Sequence, residues 1–184
     1  MQAIALQLLC AALLLPHARP FSIPKPGTYK AIITSVGKCD AEGTGELKVD
    51  WRMTHTEDSA VVVNGVYNWP YDLDDQLGAV IDIAQWSDNS GWLPHFYKVS
   101  TNNYCAELKK KLPSYFKRFI QSFGVKPHCP LPKGRYELKN WSSDITDGLP
   151  FPMLPFGKYM VDSLIFRQKK QIGCFRFECE IQQK

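Results

Sequence analysis

The sequence predicts a mainly β protein, an antiparallel β cup or sandwich with one kinked amphipathic helical segment at about 104–123. Three patterns predict it. Leu47, Val49, Trp51 and Met53 alternate with Glu46, Lys48, Asp50 and Arg52, the period-2 signature of a half-buried antiparallel strand. Leu77, Ala79, Ile81 and Ile83 repeat that period and lead to Trp86. Leu108, Leu112, Tyr115, Phe116, Phe119, Ile120 and Phe123 instead fall on one helical stripe.

The remaining elements follow in order. Residues 28–36 form a first strand. Ala60 to Tyr67 is Val-rich and ends at Trp69-Pro70. Phe96 to Ser100 is a short strand. Pro113 interrupts the helical stripe, so a kink or two short helices meeting at Leu112 is expected. Gly124 suits a C-terminal cap. Lys109, Lys110, Lys111, Lys117 and Arg118 cover much of the outer face, which reads as a solvated surface ahead of a membrane-binding one, since basic amphipathic helices serve both roles. Tyr136 and Leu138 alternate with Arg135, Glu137 and Lys139. Tyr159 to Phe166 and Ile172 to Ile181 are a last pair, joined by Arg167-Gln168-Lys169-Lys170. Regularly spaced strands separated by turn signals suit a sandwich or barrel.

Residues 1–20 read as a secretory signal. Ala3 to Leu15 is an apolar run of h-region length, broken by Pro16 and Pro20, with cleavage expected near 18–20. A single extracellular domain over 21–184 remains. Cys10 leaves with the signal. Cys39, Cys105, Cys129, Cys174 and Cys179 stay in an oxidising compartment, where they should pair. Five is odd, so one thiol is left over or pairs between chains. The sequence holds no CxxC and its four histidines are scattered, so no metal and no cofactor are expected. A net charge of +4 fits solubility and an anionic surface, not nucleic acid. Asn140-Trp141-Ser142 is an N-glycosylation sequon.

Catalytic motifs are missing. No Gly-x-Ser-x-Gly elbow, His-Glu-x-x-His, P-loop or Gly-x-Gly-x-x-Gly occurs. Asp72, Asp74 and Asp75 lack the later ligands of a calcium loop and read as a solvated turn. A catalyst is not expected. Binding is the better starting point. On the last strand Phe175, Phe177, Cys179 and Ile181 share one face, and Cys174, Arg176 and Glu178 the other. Val49, Trp51, Ile81, Ile83, Tyr159 and Val161 are candidates for the same interior. Periodicity does not separate a filled core from a ligand cavity. The proline-broken stretch 148–156 carries Leu149, Phe151, Met153, Leu154 and Phe156 outside regular pairing. It is either a lid folded onto the interior or a lip at its mouth.

One set of motifs goes further. Cys105, His128-Cys129-Pro130, Lys133-Gly134-x-Tyr136-x-Leu138, Gly157-Lys158-Tyr159 and Ile172-Gly173-Cys174 occur in this order. Together they resemble the ganglioside activator family, relatives of the MD-2-related lipid-recognition proteins. The chain looks closer still to the secreted insect chemosensory proteins of the B type. The resemblance is best from Cys105 to Ile181. It implies a β cup, open at one end, that holds lipid tails and presents them to a membrane or receptor. A pheromone or cuticular lipid would be the cargo. It implies disulfides Cys39–Cys174 and Cys105–Cys129, with Cys179 left over. It favours a cavity lined by Trp51, Ile81, Ile83, Tyr159, Val161, Phe175 and Phe177, with Leu149, Phe151, Met153, Leu154 and Phe156 as its lip. The alternative is a secreted interaction or effector protein with a solid core and no ligand.

Overall fold

A computed structural model describes residues 28–146 and 154–184. The signal segment and the lip residues Leu149, Phe151 and Met153 lie outside these. Among the described residues eight strands run in chain order: β1 (Tyr29–Gly37), β2 (Lys48–His55), β3 (Val61–Trp69), β4 (Leu77–Ser87), β5 (Gly91–Thr101), β6 (Gly134–Ser142), β7 (Gly157–Arg167) and β8 (Lys170–Gln183). Two helices, α1 (Tyr104–Lys111) and α2 (Pro113–Gln121), sit between β5 and β6. Among the described residues no helix is long and apolar enough to cross a membrane.

The strands form two antiparallel sheets. Five strands order as β1-β8-β7-β4-β5, and three as β2-β3-β6. Each strand is apolar on the face it turns to the other sheet, so the layers stack and enclose one core. The layers are also stitched directly. Leu47 N–H donates to Ile172 O at 2.9 Å, and Ile33 N–H to Ser143 O at 2.8 Å. Gly173 permits the first contact: a Cβ there would lie 2.6 Å from the Leu47 Cβ.

The helical stripe folds as two short helices joined at Leu112. Asn103 caps α1, its Oδ1 accepting from Ala106 N–H at 3.0 Å. Pro113 opens α2, where its missing N–H costs no hydrogen bond. Phe116, Phe119 and Ile120 are the buried face of α2. Ser122 is the C-cap, and Gly124 follows it with φ +76°, donating to Gln121 O. Gly124 therefore closes the turn beyond the cap rather than capping the helix itself.

Cys39 is bonded to Cys174 and Cys105 to Cys129. This is the pairing that the resemblance implies. Cys179 is free and buried. Burial pushes its thiol up to about 12, so it stays protonated and unreactive at neutral pH. The Cys129–Pro130 peptide is cis. Of the three aspartates, Asp74 makes a local turn contact, its Oδ1 accepting from Gln76 N–H at 3.0 Å, whereas Asp72 reaches across to the approach to β6, its Oδ1 accepting from Lys133 N–H at 2.7 Å. Asn140 is exposed at a bulge between β3 and β6, with φ +48°, and its N–H donates to Asn64 Oδ1.

One strand is longer than its sequence suggests. β5 begins at Gly91, not Phe96. Between the pairs Gln85–Leu93 and Ile83–Tyr97, Pro94, His95 and Phe96 face only Ala84. His95 takes φ +57° there. Proline and a bulge both mark an edge strand, which β5 is.

Candidate functional site

Residues directly opposite in a sheet share a face, so the register sets out the inner surface row by row. One row reads Val36, Phe177, Val161, Ile83, Tyr97 from β1 across to β5. The next reads Ile33, Cys179, Tyr159, Gln85, Leu93. On the other side lie Phe175, Ser163, Ile81 and Val99. Six of the seven expected lining residues fall in these three adjacent rows. The outer face between them carries a charged row, Arg176, Asp162, Asp82, Lys98. Arg176 Nε reaches Asp162 at 2.6 Å, and its NH2 reaches Asp40 at 3.0 Å. One face is solvated and the other apolar because residues two apart on a strand share a face.

The seventh residue, Trp51, comes from the opposite sheet. Its ring meets Phe175 at 5.7 Å, Phe177 at 6.4 Å and Tyr67 at 6.0 Å, all edge-to-face. Its Nε1 donates to Gly37 O at 3.2 Å, which fixes the indole against the end of β1. Gly65, its cross-strand partner, leaves room for it: a Cβ there would lie 2.7 Å from the Trp51 Cβ. The seven residues thus belong to one apolar cluster. Ile83, Tyr159, Val161 and Phe175 are buried within it, whereas Trp51, Ile81 and Phe177 are half-buried.

Burial falls away toward β5. Tyr159 is fully buried, yet Leu93 and Tyr97 on the same inner rows are 42 % and 37 % exposed. Phe96, 38 % exposed, tilts against the Tyr159 ring at 5.9 Å. Phe156, at the entry to β7, is also exposed. The inner apolar surface therefore runs out to an uncovered aromatic and aliphatic rim. Tyr159 also holds the chain leading into this rim. Its hydroxyl donates to Pro155 O at 2.9 Å and accepts from Gln85 Nε2 at 3.2 Å. Burial pushes that phenol up to about 12, so it remains a donor.

The lip expectation needs one correction. Leu154 is buried and packs into the core, because the Tyr159–Pro155 bond draws that end of the loop inward. Only Phe156 of the described lip residues is exposed.

Leu93, Phe96 and Tyr97 were not among the expected site residues. The one sequence signal is Pro94, which marks an edge strand; the alternation that would join Leu93 to Tyr97 is broken at the bulge. A second group was also missed. Tyr67 touches Phe119 at 5.7 Å and Phe123 at 5.3 Å, extending the ring cluster from Trp51 to the buried face of α2.

Two other features involve none of these seven residues. A cleft of 350 Å³ lies by the β7–β8 turn, lined by Gln76, Val80, Thr101, Asn102, Phe166 and Lys169 among others. Cys39, Asp162 and Cys174 crowd together, but both sulfurs are committed to a disulfide and neither is a thiolate ligand.

A family model described as a protein of unknown function, DUF1091, matches residues 79–161, from β4 to the first half of β7. Comparison with curated proteins finds no match. Among solved structures, the crystal structure of chicken MD-1 complexed with lipid IVa is similar at 12 % identity and a TM-score of 0.35. The alignment covers 87 % of this chain and 95 % of that one.

Proposed function

We propose that this chain is a secreted, non-enzymatic carrier. It binds a lipid or other long-chain hydrophobic ligand between its two sheets and presents it to a membrane or receptor. A chemosensory setting, with a pheromone or cuticular lipid as cargo, follows from the motif resemblance over Cys105 to Ile181. The observation that carries the reading is the continuity of the inner apolar rows with the exposed rim of Leu93, Phe96, Tyr97 and Phe156. A rim of that kind is costly to expose unless something apolar passes over it. Half-buried Trp51, Ile81 and Phe177 supply the inner walls. No bond needs to be made or broken: burying an alkyl chain yields about 0.8 kcal/mol per CH₂. Two disulfides suit an extracellular life, and exposed Asn140 is the proposed glycan site.

A second reading has its own support. The close edge-to-face contacts of Trp51, Tyr67 and Phe175 suit a solid core, and with it a ligand-free interaction protein. Native mass spectrometry of gently purified secreted protein separates the two. The carrier reading expects co-purifying lipid, or uptake of a fluorescent fatty probe that weakens when Phe96 and Phe156 are both changed to Ala. A lipid-free mass together with no uptake would leave the solid-core protein.

A further inference from the structure

Among the described residues, two buried donors on β3 have no hydrogen-bond partner. The Tyr67 side chain is fully buried and its hydroxyl makes no hydrogen bond among the described residues. Two residues along the same face, Trp69 is 3 % exposed and its Nε1–H is likewise unmade. Buried polar groups in native proteins are almost always satisfied, and an unmade buried hydrogen bond is costly. Two such donors on one strand face call for an acceptor. The Tyr67 ring touches Trp51 and Phe175 on the sheet interior and Phe119 and Phe123 beside α2, so the side chain stands where the apolar interior meets the helices.

We propose that the ligand carries a neutral carbonyl oxygen, as in a long-chain ketone or ester, which accepts from the Tyr67 hydroxyl with the Trp69 indole N–H as a second donor. This rests on the carrier reading and narrows its cargo. An indole N–H can only donate, so an acceptor suits the pair better than a donor. A pure hydrocarbon would leave both donors unmade. Burial holds the Tyr67 phenol well above its ordinary pKa, aided by the nearby Tyr115 and Tyr104 hydroxyls, so it stays a neutral donor. Burying an unpaired carboxylate among these rings would be far costlier than burying a carbonyl.

The test is displacement of N-phenyl-1-naphthylamine from the secreted protein by hexadecane, 2-hexadecanone and palmitic acid, in wild type and Tyr67→Phe. Expected is tighter binding of the ketone than of the alkane, with about a 5- to 10-fold loss of ketone affinity in the variant and no change for the alkane. Ketone and alkane bound equally, a ketone preference that survives Tyr67→Phe, or palmitic acid preferred at neutral pH would each overturn the carbonyl seat while leaving a carrier. Binding of none of the three would remove the carrier reading and this inference with it. The variant should melt no lower than wild type, since no hydrogen bond of the protein is lost. A clear drop in its melting temperature would show that the hydroxyl has a structural partner, and would also overturn the proposal.

Discussion

Leu154 and Phe156 stand two residues apart with opposite fates. Leu154 is 7 % exposed and packed into the core; Phe156 is 36 % exposed. Leu154→Ala should cost about 2–5 kcal/mol in chemical denaturation, as deletion of a buried leucine does. Phe156→Ala should cost under about 1 kcal/mol and slow extraction of a fluorescent lipid from vesicles. Equal losses of stability would place Phe156 in the core and remove it from the rim. Gly173 makes a second residue-scale point. An added Cβ would meet the Leu47 Cβ at 2.6 Å and its carbonyl oxygen at 3.0 Å. Leu47 is itself buried and hydrogen-bonded to Ile172, so neither side can yield cheaply. Gly173→Ala should destabilise by about 1–3 kcal/mol with an unchanged denaturant slope. A neutral outcome would mean that the inter-sheet contact at Leu47 is loose.

At the scale of elements, Glu46 ties three of them together. It accepts from the Tyr71 hydroxyl at 2.6 Å, from Lys170 Nζ at 3.0 Å and from the Thr44 hydroxyl at 2.8 Å, linking the approach to β2 with the end of β3 and the β7–β8 turn. These bonds favour the charged carboxylate, the Tyr71 bond most, and lower its pKa from 4.5 to about 2. The group is therefore more acidic folded than unfolded. Its contribution is full above the unfolded value, declines as pH falls below 4.5, and is gone once pH passes below about 2. Asp40, lowered by its hydrogen bond with Arg176, acts in the same direction. The measure is thus the difference between proteins: Glu46→Gln should show a shallower loss of stability on acidification than wild type. Parallel acid limbs would show that the carboxylate is spent on water rather than on these partners. The sequence made some elements plain and hid others, for physical reasons. Period-2 faces are local, so Trp51, Ile81, Phe175 and Phe177 could be assigned to an interior before any partner was known. The kink at Pro113 is equally local. The start of β5 was hidden because His95 enters the left-handed region without glycine, and that bulge interrupts the alternation that would have joined Leu93 to Tyr97.

At the scale of the whole molecule, the order of strands was not legible, because alternation says which face is buried and not which strand is the neighbour. The split into β1-β8-β7-β4-β5 and β2-β3-β6 depends on long-range pairing. Cysteine bonding reaches over the same distances. Cys39–Cys174 spans 135 residues and Cys105–Cys129 spans 24. On chain entropy alone the first should contribute about 5 kcal/mol and the second about 3. A domain of this size has only about 5–15 kcal/mol of net stability, so loss of the longer bridge should leave it marginal. Replacing Cys39 and Cys174 by Ser should therefore lower the denaturation midpoint more than replacing Cys105 and Cys129. The fold offers one counter-argument. β1 already pairs with β8 along most of its length, holding these two strands together without the bridge. That pairing exists only in the folded state, however, and the entropic effect of a disulfide acts on the unfolded chain, where β1 and β8 are apart. The larger loss should thus follow the longer loop. If instead the Cys105–Cys129 variant falls further, the bridge would be acting in the native state, by clamping α1 to the Cys129–Pro130 turn beside the buried face of α2. Ligand retention would then depend on that clamp, and ought to fall with it.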